Sequence, residues 1–395
     1  MASMLDQILD LYLPGFASDK RRSFARLGEA DRQSMVLSFL VQEFAAVLEA
    51  YLHHRNGDRR KGQGAAGAEL LRLNALLGAL GRPKLEVGHG RGAKLIASIW
   101  EQIAGPVADG GRFTHREEVE LPRAPAFQPH LASAVGAISQ VFRDAGDGVL
   151  AFGYHGSIAS QDHIPGLSDC DAILLLRAGL LGDDEKLKKV QSACQRALAL
   201  MQRIDAFQHH GVFVVPEELF ACYPENYFPT VLYQTSAFDL GAGTRLELRV
   251  LESRAAAAIR VLRWSRFLEH AAPNMAGYDY DHFHEVLQVA QVLPCFVAAC
   301  CDRSMNKREA IPWLIAHCPN TTAEFLQATG ELRACWGDFW SSRNLGAKVL
   351  GGRFYLPLRD KIVEFFGGAG RLQEALLTLA GDSSRMALAS LGQKK

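Results

Sequence analysis

Two strand-length apolar runs restrict the folds open to this chain more than any other feature. They are "GVLAFGYH" (148–155) and "CDAILLL" (170–176), and between them lies the polar connection "GSIASQDHIPGLSD". Runs of this length, rich in aliphatic and aromatic residues and closed by turn-forming residues, read as β-strands. A helical pattern precedes them in "LASAVGAISQVFRDA", and another follows from Asp183 to about Ile204. Further strands are expected at "GVFVV" (211–215) and "TRLELRVLES" (244–253). Strands alternating with helices predict a small mixed sheet covered by helices.

The flanks follow a different pattern. Residues 1–120 show helical periodicity, as in "SMVLSFLVQEFAAVLEAYL" and "AELLRLNALLGAL", separated by the basic segment "HHRNGDRRKGQGAAG", which reads as a solvated loop. Three prolines in "LPRAPAFQPH" mark a linker from Leu121. From Arg254 amphipathic helices return. The expected class is α+β: an N-terminal helical region (1–120), a central α/β domain (121–253) and a C-terminal helical domain (254–395).

Charge narrows the range of partners. Lysine plus arginine and aspartate plus glutamate both number 43, so no global field draws the chain to a polyanion or an acidic membrane. The first residues lack the basic, apolar and cleavage regions of a secretory leader. "EVLQVAQVLPCFVAACC" falls short of the roughly 20 apolar residues that cross a bilayer. A cytoplasmic location without membrane attachment is expected. The eight cysteines show no CxxC pair, which predicts reduced and mostly buried thiols, with Cys300 and Cys301 adjacent.

Side chains alternate along a strand, so Asp169 and Asp171 share one face and Cys170 points to the other. Two carboxylates held so close repel each other unless a cation joins them. Hard oxygen donors on a rigid strand suit Mg²⁺, whose shell substrate phosphates commonly complete. Gly156 permits close backbone approach to a ligand, Ser157 adds a hydroxyl, and a following helix would present N–H groups to phosphate. Eleven residues separate Ser157 from Asp169.

The ordered pattern of apolar strand, Gly156-Ser157, connecting loop, Asp169-Cys170-Asp171 and "AILLL" resembles the nucleotidyltransferase-fold superfamily typified by DNA polymerase beta. The likeness covers about residues 130–252. It implies a nucleotidyltransferase-like domain that binds a nucleoside triphosphate and Mg²⁺, usually two ions, and transfers a nucleoside monophosphate with loss of pyrophosphate. Asp169 and Asp171 would be catalytic metal ligands, and Gly156 and Ser157 would receive phosphate.

The resemblance also implies a third carboxylate. Glu247 fits on "TRLELRVLES", with Arg249 beside it to meet triphosphate. Asp239 in "AFDLG" is an alternative, and so is a histidine at 209 or 210 in "QHHGVFVV". Glu247 also reads as an exposed strand position making cross-strand ion pairs. The acceptor, a small molecule or a macromolecule, and the base of the triphosphate stay open. A nucleotide-binding regulatory protein without catalysis is the other class consistent with these residues, and nucleic-acid extension finds no support in the neutral charge.

Other motifs carry less. "GHGRGAK" (88–94) lacks the Gly-Lys-Ser/Thr ending of a phosphate loop and reads as a helix entry. In "DYDHFHE" helical geometry turns His282 and His284 about 200° apart, so one metal would not take both. "SRNLGAKVLGGRFYLPLRD", from Ser342, reads as a glycine-broken connector.

Overall fold

A computed structural model describes residues 4–15, 18–53, 59–85, 93–165, 167–205, 208, 211–251, 254–278, 280–336 and 356–392. The chain divides into two compact units, one comprising Met1–Leu11 and Gly28–Ser253, the other Tyr12–Leu27 and Arg254–Lys395. The division falls after residues 11, 27 and 253. Of residues 1–120, 1–11 and 28–120 share a compact unit with the sheet, and 12–27 belong to the other unit.

The N-terminal helices are α1 (Met4–Tyr12), α2 (Ser18–Ala25), α3 (Glu29–His53), α4 (Arg59–Ala79) and α5 (Ala93–Gly110). In α3 burial runs unbroken from Ser34 to Val41, the mark of a helix covered all round. Its apolar window has mean hydropathy 1.6, and 78% of that window is buried inside the fold. Residues His282–Cys300 reach 1.4 with 61% buried, so both helices are apolar and long enough to cross a membrane, yet both are largely packed against protein. Helix α4 starts at Arg59, inside the segment expected to be a loop, and as a whole it packs against α3. The "GHGRGAK" motif lies outside the described residues up to position 92. Ala93 then opens α5, its N–H donating to Asp184 Oδ1 at 3.1 Å.

Strand β1 (Phe113–Glu120) was not expected, since "FTHREEVE" offers no alternation of apolar residues. It is followed by α6 (Pro129–Asp144), β2 (Val149–Tyr154), the single turn α7 (Gly156–Ala159), β3 (Ala172–Leu176) and α8 (Asp184–Ile204). Then come β4 (Phe213–Pro216), α9 (Thr230–Thr235), β5 (Ala237–Leu240) and β6 (Arg245–Leu251). The main sheet has the order β4-β3-β2-β5, with β3 and β4 parallel and the other pairs antiparallel. β3 is buried along its whole length, which is why it reads as unbroken aliphatics. Phe152 stacks on Phe142 of α6 at 4.3 Å, and the Tyr154 hydroxyl donates to the Val135 carbonyl at 2.9 Å, so one sheet face is sealed by α6. Asp183 caps α8 by accepting from the Lys186 N–H.

The proline-rich stretch is part of the structure and not a free linker. Pro122 O accepts from Phe238 N–H and Ala124 N–H donates to Phe238 O, both at 2.9 Å, so residues 122–124 run along β5. Proline fits such an edge because only its carbonyl is asked to bond. Strands β1 and β6 form a separate two-stranded sheet.

The second unit is helical: α2 with α10 (Arg254–Ala271), α11 (Tyr280–Cys300), α12 (Lys307–Ile315), α13 (Asn320–Ala334), α14 (Leu356–Phe365) and α15 (Ala369–Ser390). Helix α15 packs against α2, α10, α11 and α13. Asn306 and Glu309 form a capping box at the start of α12. Buried Asp382 accepts from Thr322 Oγ1 at 2.6 Å and from Arg385 at 2.8 Å. The connector from Ser342, with Arg343, Lys348 and Arg353, lies outside the described residues until Leu356 opens α14. All eight cysteines are free thiols.

Candidate active site

The site is assembled where β2 and β3 end side by side. His155 follows β2, and its N–H donates to the Asp171 carbonyl at 3.1 Å, extending the antiparallel pairing by one residue. The chain then turns at Gly156, whose φ is +62°. A Cβ there would lie 2.7 Å from Asp171 Oδ2, so both the dihedral and the space demand glycine. The carboxylate of Asp171 is therefore pressed against the backbone of the Gly-Ser turn. Ser157 Oγ approaches the Asp169 carbonyl at 3.5 Å, a weak bond that nonetheless draws α7 toward the first aspartate.

Asp169 and Asp171 are half-buried, and Cys170 between them is fully buried. Phe152 and Tyr154 face α6, and because Tyr154 pairs with Ala172, strand alternation puts the Cys170 thiol on that face, away from the carboxylates. Burial first, then the negative charges of Asp171, Asp205 and Asp169, push the Cys170 thiol well above its usual range. It stays protonated and serves as packing, not as a nucleophile.

Gln208 supplies a contact the sequence did not advertise. Its Oε1 accepts from the Cys170 N–H at 3.0 Å, and its Nε2 donates to the Cys170 carbonyl at 3.2 Å. The loop between Gly156 and Asp169 is folded on itself: Ser168 Oγ accepts from Ile164 N–H at 3.1 Å, and Gln128 holds the Gln161 carbonyl at 2.8 Å.

On the open side, β4 pairs in parallel with β3, Phe213 beside Ile173. Gly211 precedes Phe213 by two residues, as Asp171 precedes Ile173. A Cβ on Gly211 would lie 2.5 Å from His53 Nδ1 and closer still to the neighbouring ring atoms, so the imidazole fills the place of a side chain there. His53 closes α3, and its Nε2 donates to the Val212 carbonyl at 2.9 Å. The Tyr227 hydroxyl donates to Glu49 at 2.7 Å, and Gln191 donates to the Tyr51 carbonyl at 2.7 Å, fixing the last turns of α3. His155 packs against Phe228 and Phe213, with ring centroids 5.1 and 5.5 Å away.

The third-acid candidates are placed differently. Glu247 sits on the exposed side of β6, in the two-stranded sheet, directly opposite Glu118. Arg249 is on the same side, its guanidinium 3.6 Å from the centre of the Phe113 ring. Asp239 is bound to Arg143 at 2.7 Å. His209 and His210 lie outside the described residues. Among the described residues no group of three or more His, Cys, Asp or Glu side chains is arranged to hold a metal ion. The structure thus gathers Gly156, Ser157, Asp169 and Asp171 and leaves Glu247 and Arg249 on the other sheet, because β6 pairs with β1.

The geometry defines an α+β unit with a glycine turn closed on the Asp171 carboxylate. Comparison with protein families, curated proteins and solved structures finds no match to the chain.

Proposed function

We propose that this protein is a Mg²⁺-dependent nucleotidyltransferase that moves a nucleoside monophosphate from a nucleoside triphosphate to a hydroxyl acceptor. The observation that carries the reading is the contact of the Gly156 turn with the Asp171 carboxylate, which joins the phosphate-receiving and cation-binding halves of the sequence pattern. Two half-buried carboxylates fit Mg²⁺, which needs only one or two protein oxygens when phosphates fill the rest of its shell. Asp169 and Asp171 would hold the ion, which when bound supplies charge neutralisation on the phosphates. Lacking a Cβ, Gly156 would let its backbone approach a phosphate oxygen held by an ion at Asp171. Ser157 would donate its hydroxyl to that oxygen, exchanging its weak bond to the Asp169 carbonyl for a stronger charge-assisted one.

A second reading is favoured by the position of Glu247: among the described residues no third acid joins the pair in a metal-holding group, and such a site would bind Mg²⁺ and triphosphate and release no pyrophosphate. One experiment separates the two. ATP, GTP, CTP and UTP labelled at the α-phosphate are supplied with Mg²⁺ and a panel of hydroxyl acceptors comprising an aminoglycoside, a serine peptide and a tRNA. Label transfer with pyrophosphate release, falling to background in Asp169→Asn and Asp171→Asn, is expected. Saturable binding without release across the panel supports the second reading, and transfer undiminished in either variant sinks the first.

A further inference from the structure

We infer that Gln208 is a positioning residue for the cation site, setting the direction of Asp169 and Asp171 by gripping the peptide backbone between them. This rests on the reading above, in which those carboxylates hold Mg²⁺. The first described pair of the β3-β4 ladder is Ile173 with Phe213, so Cys170 lies three residues ahead of it. A fully buried residue at that point needs partners for its N–H and its carbonyl.

Gln208 provides both from one side chain, 38 residues along the chain. Only a primary amide offers an acceptor and a donor side by side in this way, reproducing the edge of a neighbouring strand. The amide is itself held: Gln208 is 6% exposed, and its backbone N–H donates to the Asp205 carbonyl at 3.3 Å, just past the end of α8. Two bonds, one on each side of the Cys170 α-carbon, block rotation of the adjacent peptide planes. Those planes lead directly to Asp169 and Asp171, so their rotation would turn the carboxylates away from a shared cation. Partners of this kind, which orient ligands without touching the ion, typically change metal affinity 10–100-fold when removed.

The test uses the full chain and Mn²⁺ as the probe, titrated by electron paramagnetic resonance without nucleotide. Gln208→Met keeps the shape of the side chain and removes both bonds. Its Mn²⁺ affinity is expected to fall about 10–100-fold, with faster hydrogen exchange in the peptide that contains Cys170. A role in stability alone would lower the melting temperature and leave the affinity of the folded protein at the wild-type value, and that result overturns the inference. Should Gln208→Met not fold, Gln208→Asn carries the test, since it keeps the amide but shortens its reach. Wild-type affinity in that variant, alongside faster exchange at Cys170, overturns the inference equally. Wild-type protein that binds no Mn²⁺ saturably removes the cation reading itself, a failure distinct from that of Gln208.

Discussion

At the scale of single residues, the site depends on positions where one side chain fits and its nearest relative does not. Gly156→Ala is the sharpest case. The new methyl would enter the van der Waals shell of Asp171 Oδ2, and an L-residue in the left-handed region costs about 1–2 kcal/mol. The expected outcome is a lower melting temperature together with weakened Mn²⁺ binding, because relief comes from moving the carboxylate. Binding at wild-type strength in a folded Gly156→Ala protein would show that Asp171 is not a ligand. The glycine turn and the shared face of Asp169 and Asp171 are legible in the sequence because they belong to one short run, where alternation and turn chemistry fix geometry locally; the contact of Gly156 with Asp171 is not. Gln208 and His53 were not legible. Their hydrogen bonds span 38 and 159 residues, and a glutamine or histidine in a polar stretch gives no local sign of what the fold will set beside it.

At the scale of elements, strands were readable where burial writes a pattern and unreadable where pairing alone makes them. β2, β3 and β4 show as apolar runs, and β6 as alternation of exposed and buried positions from Arg245 to Val250. Half of the residues of β1 are charged, and it becomes a strand only because β6 lies beside it. That pairing also decides the standing of Glu247. It faces Glu118 directly across the ladder, and like charges in that position destabilise a sheet. Arg249 and Arg116 are likewise opposite, and the direct attraction on this face lies at the end of the ladder, where Arg245 faces Glu120 at 3.4 Å. Glu247→Gln should therefore leave Mn²⁺ affinity within twofold of wild type. It should also raise stability slightly, near the low end of the about 0.2–1 kcal/mol typical of cross-strand pairs. A Mn²⁺ titration and a urea melt on the same variant check both halves. A tenfold loss of affinity would restore Glu247 to the metal site.

At the scale of the whole molecule, the order of the chain and the membership of the compact units differ, and periodicity could not reveal it. Leu9 belongs to the unit that carries the sheet, whereas Phe24, fifteen residues later, belongs to the helical unit. Both are fully buried. A sequence reading sees two consecutive amphipathic helices and assigns them together, because it measures which face is apolar and not which surface covers it. The helical unit draws on this N-terminal stretch in several places. Phe24 on α2 is buried where α2 meets α15, the Arg263 guanidinium lies 5.6 Å from the centre of the Tyr12 ring, and Arg266 donates to the Pro14 carbonyl. Removing a buried phenylalanine side chain costs about 3–5 kcal/mol, a large part of the roughly 5–15 kcal/mol that holds a domain folded. Phe24→Ala should accordingly speed hydrogen exchange in α10 and α15 while β2 and β3 keep their protection. Leu9→Ala, at about 2–5 kcal/mol, should loosen the sheet-bearing unit and spare α15. Exchange mass spectrometry on the two variants reads both effects in one experiment, and loss of protection in the same helices for both would mean that residues 12–27 do not belong to the helical unit.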